Sequence, residues 1–273
     1  MIKKFKIRAS SGGQIMGLVG RPTEIQLARI VELETKKKDK ALTEAQQKEL
    51  DGLVAKRDAK PVLSDGGKTY CQMWLKEQLY NRRKEFGNKY TEKGNQCEQA
   101  GIEMVADKMG YGLISKNEQS FEDEFMTGTP DLVLSEFVED IKNSWSPFTF
   151  PLFAKELPES DYFYQLQIYM HLTGKKKAAV NYTLIDTPVS IMDAEARRDW
   201  YKEGNVGGEI PMEYFDPYYE QMTYRDVPDK LKFKRFEFDY DQNVIKTIQQ
   251  RVELCREYIK TIVPEFITEP QAE

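Results

Sequence analysis

The chain of 273 residues carries a formal net charge of −5 at pH 7, with 40% hydrophobic and 12% aromatic residues. That is apolar material for a sizeable core, which excludes global disorder, while the acidic balance excludes a strongly basic coat for nucleic acid but leaves room for local basic grooves. Three widely spaced cysteines (Cys71, Cys97, Cys255) and a single histidine, His171, exclude a disulfide framework, a four-cysteine iron–sulfur cluster and a two-histidine zinc site.

The first residues, MIKKFKIRASSGG, lack the apolar stretch of a signal peptide, and no uncharged apolar run approaches the roughly 20 residues needed to cross a bilayer. A cytoplasmic protein with no membrane partner is expected. Residues 3–20 read as a short strand or arm, a tight turn in the run Arg8 to Gly13, and a helix start at Ile15-Met16. That turn suits an anion: Ser10 and Ser11 offer hydroxyls and backbone amides, and Arg8 offers a guanidinium. A serine capping a helix is the alternative.

Residues 24–63 are rich in Glu, Lys, Gln and Leu and predict two helices, the second opened by a capping box at Thr43-Glu-Ala-Gln46. This is a charged helical insertion or arm with no assigned chemistry. A helix from Lys68 to Phe86 follows, then one from Tyr90 to Gly110, with Cys97, Met104, Val105 and Met109 on its apolar side and Gly94 and Glu98 sharing another. The basic clusters at Lys36–Lys38, Arg82–Lys84, Lys175–Lys177 and Lys232–Arg235 read as solvated faces or phosphate contacts.

Phe125 to Trp145 predicts two adjacent strands. Strand alternation puts Val138, Asp140 and Lys142 on one face and Phe137, Glu139 and Ile141 on the other, and the turn Gly128-Thr-Pro130 places Asp131 at a strand start. Two carboxylates on neighbouring strands form a hard, oxygen-rich site of the kind Mg²⁺ prefers. The acid-x-lysine spacing recurs at Glu34–Lys36 and Asp58–Lys60, but there in helix-favouring sequence.

A loop rich in proline and aromatics, 146–158, is positioned to shape a substrate entrance. The next helix is expected to start at Ser160 or Asp161 as cap and to stop at Gly174, with Tyr162, Gln165 and Tyr169 on one face; His171 is expected to be structural or peripheral. Beyond it, 178–185 predicts a strand, 195–203 a helix, the tyrosine-rich 213–224 a packed loop or a base-stacking surface, 233–240 a strand and 243–262 a closing helix. That helix should bury Val244, Ile248, Val252, Cys255 and Ile259 before Pro264 and a polar tail.

The run GTPDLVL followed by VEDIKNS resembles the core of the PD-(D/E)xK nucleases, specifically the lambda-exonuclease-like branch that includes YqaJ-type viral recombinases and phage exonucleases. Gly94-Asn-Gln-Cys-Glu98 matches the branch's Gly-x-x-x-Glu helix before the core, and Gln165-Leu-Gln-Ile-Tyr169 its Gln-x-x-x-Tyr helix after it. The ordered set spans residues 94–174.

The resemblance implies one α/β domain over residues 1–273, with a restriction-endonuclease-like core: a central mixed β-sheet flanked by helices, closed by the strands and helix of 178–262. It implies a metal-dependent deoxyribonuclease, a DNA exonuclease running 5′ to 3′ on duplexes, with Mg²⁺ (or Mn²⁺) held by Asp131, Asp140, the Ile141 carbonyl and Glu98. Lys142 and Gln165 would act in catalysis, while Arg8, Ser10, Ser11 and Tyr169 would meet the substrate, Arg8 and the serines at a 5′ phosphate. Gly94 would permit close approach. Implied partners are DNA and a single-strand annealing protein, in a bacterial or phage-infected cytoplasm, with trimeric assembly in some relatives. An endonuclease of the same fold and a noncatalytic DNA-binding or assembly protein are the competing readings; a P-loop ATPase is excluded, since Gly-x-x-x-x-Gly-Lys-Ser/Thr is absent.

Overall fold

The computed structural model describes residues 2–84 and 87–263. It divides into two compact units, one made of Met1–Phe5, Gly13–Arg82 and Lys246–Glu273, the other of Lys6–Gly12 and Arg83–Ile245. The chain begins with a short strand, β1 (Ile7–Arg8), and a 3-10 helix, Ala9–Ile15, whose last three residues are counted in the first unit. The Arg8 to Gly13 run is therefore not a turn that precedes a helix; Ser10 and Ser11 lie in the 3-10 helix itself.

In the first unit β2 (Leu18–Val19) pairs antiparallel with β3 (Val62–Leu63). Between them, α1 (Glu24–Asp39) and α2 (Glu44–Asp58) form a hairpin, each opened by a capping box: Thr23 with Gln26 and Thr43 with Gln46. The hairpin closes on buried Ile30, Leu33 and Leu50. Arg29 grips Glu49 with two bonds of 3.0 and 2.9 Å, but exposed pairs contribute little, so the leucine contacts carry the association.

Ser64 then caps α3 (Asp65–Tyr80), accepting the Gly67 N–H at 3.3 Å. This helix starts before the expected Lys68 and ends before Phe86, because Asn81 takes φ 48° and closes it in the left-handed region. Glu85 and Phe86 lie outside the described residues.

The expected single helix from Tyr90 to Gly110 is two: α4 (Lys89–Gln96) and α5 (Glu98–Met109), broken at Cys97 with φ −92° and ψ 1°. A one-residue break is invisible to a 3.6-residue pattern when both flanks favour helix. Gly94 and Glu98 thus stand on different helices. β4 (Phe121–Glu122), β5 (Met126–Gly128) and β1 form one sheet in the order β1-β5-β4.

The main sheet runs β6-β7-β8-β9, made of β6 (Leu132–Val133), β7 (Phe137–Asn143), β8 (Lys177–Thr183) and β9 (Phe233–Asp239). β7 and β8 are parallel and joined by α6 (Ser160–Thr173); the outer pairings are antiparallel, so the sheet is mixed. Helices flank both faces: Ile102 and Val105 of α5 pack with Leu132 and Ile141, and α6 lies against β5, β7 and β8. The expected α/β class, a mixed sheet with flanking helices, is what the chain adopts.

Elsewhere several boundaries move. Glu159, whose side chain makes no capping bond, stands at the start of α6 in place of Ser160 or Asp161. α7 (Val189–Lys202) begins six residues earlier than expected, directly after Pro188. The tyrosine-rich segment holds α8 (Asp216–Met222), and three of its hydroxyls bond to acids of α7 and of the turn after it: Tyr219 to Asp193 at 2.7 Å, Tyr218 to Asp199 and Tyr214 to Glu203. It packs against α7 as expected, though as a helix and not a loop. On α9 (Gln242–Ile262) Ile245 is buried where Val244 was expected, beside Ile248, Val252, Cys255 and Ile259 as read. Pro264 and the tail lie outside the described residues.

Candidate active site

The β6/β7 register pairs Leu132 with Glu139, which brings Asp131, one residue before β6, beside Asp140. Two bonds fix the turn carrying Asp131: Asn117 donates its backbone N–H to the Asp131 carbonyl at 2.8 Å and its Nδ2 to the Pro130 carbonyl at 3.0 Å. Asp131 Oδ2 then accepts the Ile141 N–H at 2.7 Å. Asp140 is 3% exposed. Its Oδ1 accepts Gln165 Nε2 at 2.8 Å, and its Oδ2 faces Lys142 Nζ at 2.7 Å as an ion pair outside hydrogen-bond geometry.

The same Gln165 amide donates its second hydrogen to Tyr169 OH at 2.9 Å, and Tyr169 OH donates to the Thr129 carbonyl at 3.2 Å. A continuous chain of bonds therefore ties α6 to β7 and to the turn before Asp131 through the Gln-x-x-x-Tyr residues. Lys142 Nζ also sits 4.4 Å from the centre of the Tyr162 ring. Glu98 opens α5 and accepts Lys116 Nζ at 2.7 Å.

Electrostatically the pair of acids is strained. Burial pushes the Asp131 carboxyl up to about 7, with Asp140's charge adding to the rise and the Ile141 N–H and Lys142 opposing it. Burial alone would lower the Lys142 ammonium, but Asp140 more than offsets it and the net shift is upward, so Lys142 stays charged. Burial likewise raises the hydroxyls of Tyr169 and Tyr162, which remain neutral donors.

These groups line one cavity of about 570 Å³, whose wall includes Tyr90, Gly94, Glu98, Asp131, Asp140, Ile141, Lys142, Trp145, Tyr162, Gln165 and Tyr169. The volume matches a single small-ligand site. Arg8, Ser10 and Ser11 do not line it. They stand beside its wall: Arg8 pairs with Thr127, and a Cβ on Gly128 would come within 2.9 Å of the Ala9 side chain and 2.7 Å of the Tyr169 ring. His171 lies away from the cavity, between Asp123 at 3.0 Å and Tyr240 OH at 3.1 Å.

At Gly94 no protein atom lies within 4 Å of where a Cβ would sit; Gly101 is the tight position, where a Cβ would meet Asn143 Oδ1 at 2.7 Å and Ile141 Cγ2 at 3.0 Å. Gly94 is among the residues that line the cavity.

The sequence reading missed the opposite face of β7. Glu139, 0% exposed, accepts Arg235 Nη2 at 2.9 Å, Tyr111 OH at 2.7 Å and Asn181 Nδ2 at 2.7 Å. A buried carboxylate so fully bonded is tolerated and pins the strand that carries Asp140 and Lys142. Arg235 thereby leaves the Lys232–Arg235 cluster for the interior. The only signal for this was an acid at an inward-facing strand position.

The donor set fits a divalent cation. Two crowded carboxylates, Asp140 buried and Asp131 half-buried, plus the Ile141 carbonyl are hard oxygen ligands, and no His or Cys lines the cavity. Among the described residues no three His, Cys, Asp or Glu side chains group closely enough to hold an ion by themselves. That is compatible with Mg²⁺, which keeps several waters and takes one or two carboxylates.

No protein-family model matches the chain, and no curated protein does. Among solved structures it is similar to a phage-related exonuclease from Haemophilus somnus, 22% identical, with TM-score 0.67 over 97% of this chain and 98% of that one. It is also similar to an alkaline exonuclease from Laribacter hongkongensis, 12% identical, TM-score 0.53, covering 95% and 90% of the two chains. The structure of that enzyme in complex with dAMP gives 14% identity and TM-score 0.52, covering 95% and 92%. The chain thus has the fold of these exonucleases over nearly its whole length.

Proposed function

We propose that this protein is a Mg²⁺-dependent DNA exonuclease, acting 5′ to 3′ on duplex ends in phage-related recombination or DNA processing. The reading rests on one observation: Asp131, Asp140 and Lys142 meet on one wall of a nucleotide-sized cavity, with Gln165 holding Asp140 from behind. The fold likeness to exonucleases, one of them in complex with dAMP, supports the same reading.

Asp131, Asp140 and the Ile141 carbonyl would hold the cation, with Glu98, now paired to Lys116, available at the cavity edge. When bound, the cation supplies Lewis-acid charge beside the scissile phosphate. Lys142, held charged by Asp140, offsets the negative charge that develops on the phosphate and orients the attacking water. Gln165 and Tyr169 keep Asp140 in position, and the free Oε1 of Gln165 can accept from that water. A single-strand annealing protein as partner, assembly as a homo-oligomer such as a trimer, Mn²⁺ as a substitute and a cytoplasmic setting belong to the same proposal.

The test compares end-labelled linear duplex with covalently closed circular DNA, each with Mg²⁺ and with chelator. Metal-dependent loss of the linear substrate alone is expected. Asp131→Asn, Asp140→Asn and Lys142→Ala should each fold and lose at least about 10²-fold in rate. Full activity in a folded Asp140→Asn preparation sinks the assignment.

A further inference from the structure

Two lysines stand against the acids of the site, from different places. Lys142 Nζ faces Asp140 Oδ2 at 2.7 Å and lines the cavity. Lys116 Nζ donates to Glu98 Oε2 at 2.7 Å, yet Glu98 lines the cavity and Lys116 does not. Lys116 is therefore not among the groups that would meet a substrate there, although it holds one of the carboxylates that would.

The loop between α5 and β4 fixes where Lys116 stands. Its neighbour Asn117 donates its backbone N–H to the Asp131 carbonyl at 2.8 Å and its Nδ2 to the Pro130 carbonyl at 3.0 Å, and its Oδ1 accepts the Gln119 N–H at 3.2 Å. The clamp that sets the turn of Asp131 thus also carries the ammonium that holds Glu98 at the start of α5. The charges of these groups reach one another. The bond to Glu98 holds the Lys116 ammonium above its ordinary range against a burial effect that lowers it, with Asp131 adding to the rise, and Glu98 in turn adds to the rise of the Asp131 carboxyl.

Stability gives this pair little reason to exist: the two side chains are 41% and 33% exposed, and an exposed ion pair contributes little to folding. Its effect on a cation differs. An ammonium bonded to one carboxylate oxygen repels a divalent ion approaching the same carboxylate, and a hard-cation site depends on the charge count of its ligands. A carboxylate held elsewhere for part of the time lowers the apparent affinity by the fraction of time it is withheld.

Resting on the metal-dependent exonuclease reading, we infer that Lys116 is a tethered competitor of the divalent cation for Glu98, setting the Mg²⁺ concentration at which that carboxylate joins Asp131 and Asp140. Lys142 and Lys116 then have separate roles: one serves the reacting phosphate, the other regulates the ligand set.

The experiment titrates Mg²⁺ alone into the full chain, without DNA, by isothermal calorimetry at about pH 8, above the raised Asp131 carboxyl. The Mg²⁺-induced rise in Tm is the second readout. Lys116→Met keeps the length of the side chain and removes its charge, and should bind Mg²⁺ about two- to fivefold more tightly than the wild type, the scale of one exposed ion pair. Lys116→Arg retains a cation and should bind no more tightly than the wild type. In a Glu98→Gln background Lys116→Met should change nothing, because the contested carboxylate is gone. The gain should also shrink in high salt, which screens an exposed pair. Equal, measurable Mg²⁺ affinity in the wild type and Lys116→Met, or the same gain in the Glu98→Gln background, overturns the competition and leaves the metal-dependent reading standing. No Mg²⁺ binding by any variant overturns both.

Discussion

Gln165 on α6 donates one amide hydrogen to Asp140 Oδ1 at 2.8 Å and the other to Tyr169 OH at 2.9 Å, so a residue 25 positions downstream determines how the central carboxylate stands. Removing it leaves a buried acceptor without its donor. Gln165→Ala should reduce turnover by about 10- to 100-fold, as for other supports of a metal-binding carboxylate, with an unchanged circular dichroism spectrum. Glu98→Gln should instead raise the Mg²⁺ concentration needed for half-maximal rate, since Glu98 lies at the cavity edge. Wild-type behaviour in both variants would make the two flanking motifs ordinary helix surface.

The two glycines of the second unit's first helices should respond oppositely. Gly101→Ala drives a methyl into Asn143 and Ile141 and should destabilise by about 1–3 kcal/mol, read as a lowered Tm. Gly94→Ala meets no protein atom and should leave stability unchanged or improve it by up to about 1 kcal/mol, the helix-propensity difference. Its cleavage rate should nevertheless fall, because the added methyl occupies cavity space. A fully active Gly94→Ala variant would show that nothing approaches that wall.

A pH dependence follows from the raised Asp131 carboxyl, shifted to about 7 by burial and by Asp140. The unfolded chain releases this proton near 4, so between about pH 4 and 7 the folded state binds more protons and its stability falls as pH rises. In chelator, wild-type Tm should therefore drop from about pH 5 to about pH 8, more than in Asp131→Asn, whose side chain does not ionise. Adding Mg²⁺ at about pH 8 should restore part of the loss in the wild type and less in the variant. Parallel melting curves for the two proteins in chelator would remove the crowded-carboxylate argument.

Recognition of the DNA end is the remaining test. Arg8, Ser10 and Ser11 do not line the cavity, and Arg8 pairs in the sheet with Thr127, two residues after Phe125 and four before Asp131. A terminal phosphate carries more charge than an internal diester, so the wild type should degrade 5′-phosphorylated ends faster than 5′-hydroxyl ends, and Arg8→Ala should narrow that ratio. Raised salt should weaken binding, because phosphate contacts release counterions. Equal rates on phosphorylated, hydroxyl and closed circular DNA would make the protein an endonuclease.

By itself the sequence determined what depends on local geometry. Period-two alternation put Asp140 and Lys142 on one face of β7, helical spacing put Tyr162, Gln165 and Tyr169 on one face of α6, and the Thr43-x-x-Gln46 box capped the second hairpin helix. Tertiary structure alone decided what depends on which strands and helices meet. The antiparallel β6/β7 register set Asp131 against Asp140, the α6 crossover carried Gln165 to Asp140, and pairing with β8 and β9 buried Glu139 against Asn181 and Arg235. The break at Cys97 and the closing of α3 at Asn81 were likewise not legible, because each is set by a single backbone conformation that leaves no trace in a residue periodicity.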